Sequence, residues 1–124
     1  MTETFVNINE ERAATAFTKQ SVVFDELYSA NEIIQYKRER VRKHVQNFLS
    51  RNSNILELNC GTGEDATWFA KNGYIVHATD ISSGMLNVLQ QKIKTSDIES
   101  KVSFELCSFT ELNKLHNKGP YDLI

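Results

Sequence analysis

Two hydrophobic periods take turns along this chain. From Asn31 to Arg51 the apolar residues Ile34, Val41, Val45, Phe48 and Leu49 recur at helical spacing. Lys37, Arg38, Arg40, Arg42 and Lys43 fall between them and make a charged face. Such a face is ordinarily solvated, with anion binding the alternative. Ser29 and Glu32 have the form of a capping box at the start of that helix. After Asn52-Ser53 the pattern becomes a short apolar run, Ile55-Leu56-Glu57-Leu58, closed by Asn59-Cys60-Gly61-Thr62-Gly63. Glu64 to Lys71 returns to helical spacing with Ala66, Phe69 and Ala70, and Asn72-Gly73 stops it with a left-handed cap.

Tyr74 to Thr79 reads as a second strand ending at Asp80, and Ser83 to Lys94 as a helix with Leu86, Leu89 and Ile93 inward. Val102 to Cys107 reads as a third strand and Tyr121 to Ile124 as the start of a fourth. Strands that alternate with helices predict a parallel sheet with right-handed crossovers, a doubly wound α/β arrangement. The reading is therefore an incomplete Rossmann-like sheet of strands 1–4 over residues 53–124, preceded by a helical leader over 1–52.

Composition narrows the function classes. The 124 residues suffice for one small core and carry a formal net charge of -2. That balance gives no basic stripe for nucleic acid. No stretch approaches the length of a membrane span, and the polar start does not resemble a signal peptide. Cys60 and Cys107 lack metal-ligand spacing, which predicts free thiols and a cytoplasmic setting. His44, His77 and His116 are scattered and read as structural. Neither a catalytic side chain nor a metal site is predicted.

The chemistry concentrates at the first strand–helix turn. Gly61 and Gly63 let backbone approach a ligand, and the helix start that follows offers N–H groups to a carboxylate or phosphate. Asp80, at the end of the neighbouring strand, is placed to accept from both hydroxyls of a ribose. The plainer alternative is an Asp that caps the helix from Ser83. Gly61-Thr62-Gly63-Glu64-Asp65-Ala66 also satisfies the dinucleotide pattern. Glu57 argues against a pyrophosphate, because its carboxylate suits a ligand with an ammonium and a sulfonium. The long segment before the first strand and the close approach of Tyr121 to Ile124 after the third argue the same way.

Ile55 to Gly63 resembles motif I of the class I S-adenosylmethionine-dependent methyltransferases. Thr79-Asp80-Ile81-Ser82-Ser83-Gly84-Met85-Leu86 resembles the family's segment after strand 2. Val102 to Phe109 resembles the strand that delivers the adenine-contacting residue, and Tyr121 to Ile124 the start of motif IV. The resemblance implies S-adenosyl-L-methionine as cofactor and a small-molecule methyl acceptor. It implies that Glu57 and the backbone of Asn59, Cys60, Gly61 and Gly63 hold the methionine part, and that Asp80 binds the ribose. Ile81 and Met85 would sandwich the adenine, whose edge Ser108 and the Phe109 N–H would read. Phe17, Phe24 and Tyr28 would form a lid.

Two positions depart from the family pattern. Asn59 replaces the loop's first glycine, and Asn is the residue best suited to a positive φ there. Ser108 stands where an Asp is common, which weakens the bond to the adenine amine. The alternatives are a fold remnant serving as a binding module, and a nicotinamide-dependent oxidoreductase fragment. The chain is expected to be inactive alone, its acceptor side lying beyond Ile124. It is also expected to self-associate through the edge of strand 4.

Overall fold

The computed structural model describes residues 8–115 and 119–124. Three helices come first: α1 (Ile8–Ser21), α2 (Phe24–Tyr28) and α3 (Glu32–Gln46). Then follow β1 (Asn54–Glu57), α4 (Glu64–Lys71), β2 (Ile75–Asp80), α5 (Ser83–Ser96), β3 (Val102–Leu106) and a 3₁₀ stretch over Phe109–Leu115. The three strands form a parallel sheet in the order β1-β2-β3. The expected fourth strand is reduced to one parallel bridge, Ile55 to Leu123, on the free side of β1. The backbone bonds Leu56 N–H to Leu123 O (2.9 Å) and Asp122 N–H to Asn54 O (2.7 Å) hold it there.

Side-chain alternation in the strands puts Ile55, Val76 and Ala78 into one core with Ala66, Phe69, Leu86, Leu89 and Ile93 from α4 and α5. Leu56 turns to the other face and packs with Cys107 and Leu115. Val45 and Leu49 from the leader also pack against the main core. Phe48 lies beyond the last turn of α3 and is exposed, its ring edge-on to His44 at 5.4 Å. Val41 is exposed as well.

The expected capping box is corrected. Asn31 caps α3, its side-chain oxygen accepting the N–H groups of Ile33 and Ile34, both at 3.1 Å. Ser29 instead closes α2. Both residues have short polar side chains, and because the five-residue helix α2 ends on Ser29, Asn31 is the one left at the free start of α3.

Helix α1 is tied to the rest by small and polar contacts. A Cβ on Gly84 would meet Ser21 Oγ at 2.7 Å and Thr18 Cγ2 at 2.8 Å, so only glycine lets α1 lie so close to the start of α5. Thr18 Oγ1 is 2.7 Å from Ser82 Oγ. No helix among the described residues is long and apolar enough to cross a membrane.

Candidate functional site

Strands β1 and β2 end side by side, and their carboxyl edge opens into a cavity of about 440 Å³. Its lining joins Asn59 and Gly61 of the loop, Asp80 and Ile81 after β2, and Met85 of α5. The leader closes it with Glu10, Phe17 and Phe24, and Phe109 stands on the far wall.

Backbone geometry explains the loop. Asn59 has φ 54° and Gly61 φ 58°, so the replacement of glycine by Asn is met by the conformation Asn tolerates. A Cβ on Gly61 would meet nothing within 4 Å, which leaves the loop's flank open to the cavity. Gly63 serves a different purpose. Its φ is 81°, and an added Cβ would come within 2.2 Å of Leu89 Cδ1. It lets the loop pack on α5 and does not line the cavity. Cys60 is buried with its thiol toward the Gly61 carbonyl, and burial pushes that thiol well above its usual range.

Asp80 is buried, and each of its oxygens accepts one backbone N–H. Its Oδ2 accepts the Gly61 N–H and its Oδ1 the Ser82 N–H, both at 2.8 Å. The carboxylate thus ties the loop to the residue before α5, and the alternative of an Asp capping that helix is not what the structure shows. Ser82 itself caps α5, its hydroxyl accepting the Met85 N–H at 3.2 Å.

Not every expected residue reaches this cavity. Glu57 lines a second cavity of about 400 Å³, with Val41, Val45, Asp65, Phe69 and Leu123. Its Oε2 is buried without a hydrogen-bond partner among the described residues. Desolvation, helped by the nearby Asp65 and Asp80 charges, raises its pKa to about 8 against the pull of Arg38 and Arg42. Tyr28 also stands outside, its ring 4.7 Å from that of Phe24. Ser108 is buried beside the cavity and does not line it.

Two groups of residues escaped the sequence reading. Lys92 bridges Asp25 (2.6 Å) and Glu64 (2.7 Å) and donates to Thr62 Oγ1, which donates in turn to Asp25. This cluster pins α2 over the loop. Glu10 of α1 accepts from the hydroxyls of Ser108 (3.2 Å) and Thr110 (3.0 Å). Neither group leaves a periodic signal, because each joins segments far apart in sequence. His77 is held between Ser103 and Glu105, both at 2.6 Å, across β2 and β3 and away from the cavity. His116 lies outside the described residues. Among the described residues, no group of three or more His, Cys, Asp or Glu side chains could hold a metal ion.

A parallel sheet with a glycine-bearing loop and an acid at the end of the next strand is an arrangement common to nucleoside-binding α/β folds. The chain belongs to the methyltransferase domain family, whose model matches residues 55–124, and to the class I S-adenosylmethionine-dependent group of that family. The cofactor of that class is S-adenosyl-L-methionine. The chain is 25% identical to a demethylmenaquinone methyltransferase of Leptospira interrogans over 112 residues, which cover 87% of this chain and 45% of that protein. It therefore spans about half the length of the relatives it matches. Among solved structures it resembles the [4+2]-cyclase SpnF, with a TM-score of 0.69, 13% identity, and coverage of 80% of this chain and 42% of that one. It also resembles DhpI in complex with S-adenosylhomocysteine, with a TM-score of 0.55, 17% identity and coverage of 79% and 44%. These two likenesses concern the fold.

Proposed function

We propose that the 440 Å³ cavity binds S-adenosyl-L-methionine and that the protein transfers its methyl group to a small-molecule acceptor. The observation that carries this reading is the buried Asp80 carboxylate beside the open flank of Gly61, with Ile81, Met85 and Phe109 on the same cavity. That donor set fits the group: an acid for ribose hydroxyls, bare backbone for the amino-acid part, apolar side chains for a flat ring. When bound, the cofactor supplies an electrophilic methyl on a sulfonium.

The chain's residues bind, orient and exclude water. A carboxylate offers roughly four lone-pair sites, and two of Asp80's are taken by the Gly61 and Ser82 N–H groups. The remainder receive the ribose hydroxyls, with the carboxylate already oriented. Ile81 and Met85 face the ring, while Phe17 and Phe24 shield it from the leader side. Alignment of the acceptor with the methyl group supplies the rate advantage of proximity, and no side-chain nucleophile is needed. A small acceptor is supported by the likeness to a demethylmenaquinone methyltransferase. This chain carries the cofactor-binding portion of that activity.

Thermal shift separates this reading from its rivals, since a ligand that binds only the folded state raises Tm. S-adenosylmethionine and S-adenosylhomocysteine raise Tm, and NAD does not. A shift with NAD alone would favour an oxidoreductase, and no shift with any of the three a binding module of another kind.

A further inference from the structure

The first cavity has one carboxylate at the sheet edge, Asp80, and a second on the leader, Glu10. A flat ring between apolar side chains still needs partners for the polar atoms on its edge, because burying them unpaired is costly. Ser108 is poorly placed to supply one. It does not line the cavity, and its hydroxyl is already enclosed by Glu10 Oε1 at 3.2 Å and Thr110 Oγ1 at 2.8 Å. Its oxygen already accepts the Thr110 N–H at 3.2 Å. Thr110 directs its own hydroxyl to the same Glu10 oxygen at 3.0 Å. The Ser108 and Thr110 hydroxyls, themselves 2.8 Å apart, thus hold the Glu10 carboxylate through Oε1, and among the described residues neither contact uses Oε2.

We infer that Glu10 recognises the exocyclic amine of the adenine ring, reaching the cavity from the leader helix while Ser108 and Thr110 hold its carboxylate in place. The inference rests on the reading of this cavity as the S-adenosylmethionine site. An ionised carboxylate is the natural partner of an amine donor, and it rejects a ring that presents no donor at that position. Specificity for the base then depends on α1 being docked, so recognition of the ring and closure of the leader are one event.

A two-by-two titration tests this. S-adenosylhomocysteine and its analogue lacking the 6-amine are titrated by calorimetry into wild type and Glu10→Gln. Gln retains an oxygen for the Ser108 and Thr110 hydroxyls but replaces the other with an NH₂. Wild type should favour the amine-bearing ligand by roughly tenfold or more, the scale of one bond to a charged group. In Glu10→Gln that preference should shrink to about threefold or less, mainly through loss of the amine-bearing ligand. An undiminished preference in the variant, or an equal loss for both ligands, would overturn the role of Glu10 and leave the cofactor site standing. Failure of wild type to bind S-adenosylhomocysteine at all would overturn both.

Discussion

Asp80 and Glu57 end neighbouring strands of one sheet, yet the fold treats them in opposite ways. Asp80 is surrounded by donors: a backbone N–H from the loop and another from the start of α5 satisfy its two oxygens. Glu57 turns to the second cavity, among Val41, Val45 and Phe69, and one of its oxygens is buried without a partner. Asp80 is buried and Glu57 half-buried with one oxygen enclosed, so the clearest difference lies in the donors within reach. A buried carboxylate that collects backbone N–H groups becomes a fixed, oriented acceptor. One that is desolvated without such donors favours its protonated form, and the Glu57 pKa is raised to about 8.

The strongest way to break the contrast is to remove the satisfied acid. Asp80→Ala leaves the Gly61 and Ser82 N–H groups without their acceptor in a buried place. It should cost roughly 2–5 kcal/mol of stability, measured by urea unfolding. Gly63→Ala comes next and attacks the loop that carries one of those donors. The new methyl meets Leu89 in a left-handed conformation, and the loss should be roughly 2–3 kcal/mol. Gly61→Ala, with open space around it, should cost only about 1 kcal/mol. Equal losses at the two glycines would contradict the division between a packing glycine and a cavity-facing one.

Glu57→Gln sharpens the other side. Its folded pKa of about 8 lies above the unfolded carboxylate value of roughly 4.3. The folded chain therefore holds a proton that the unfolded chain has released across that window. The contribution of Glu57 to stability is full below about pH 4, falls as pH rises toward 8, and is lost above it. The neutral Gln variant should flatten this decline and be more stable than wild type at pH 8.5 by about 1–3 kcal/mol. Parallel pH profiles for the two proteins would refute the assignment.

The smallest effect concerns the leader. Lys92→Met removes the two ion pairs and the bond to Thr62 that hold α2 over the loop. These groups are partly exposed, so the stability loss should be about 1 kcal/mol or less. Faster amide exchange in α2 (Phe24–Tyr28), with α4 and α5 unaffected, is the matching signature.

Much of this molecule was legible in its residues, and the reasons are physical. The order β1-α4-β2-α5-β3 follows from switches of period at Asn59–Gly63, Asn72-Gly73 and Asp80, each marked by a residue suited to a turn or cap. Helix α4 runs from Glu64 to Lys71 as its spacing predicts. Asn59, Gly61, Asp80, Ile81, Met85 and Phe109 come together on one cavity because parallel strands bring the ends of β1 and β2 to one edge.

The leader was less legible. Helix α1 docks through Thr18, Ser21 and the bare Gly84, small residues that make no apolar stripe. Period-two alternation tells which strand residues share a face, but not which of two cavities a terminal acid enters. That is how Glu57, expected at the methionine end of the cofactor, comes to line the second cavity. Glu10 carried no signal at all, since its partners Ser108 and Thr110 lie at the other end of the chain.

The central claim is that the cavity holding Asp80, and not the one holding Glu57, receives the cofactor. Calorimetric titration of S-adenosylhomocysteine into wild type, Asp80→Asn and Glu57→Gln tests it most directly. Wild type and Glu57→Gln should bind within about threefold of each other, while Asp80→Asn should lose roughly tenfold or more, the scale of a lost bond to a charged acceptor. Weakened binding in Glu57→Gln together with unchanged binding in Asp80→Asn would contradict the account.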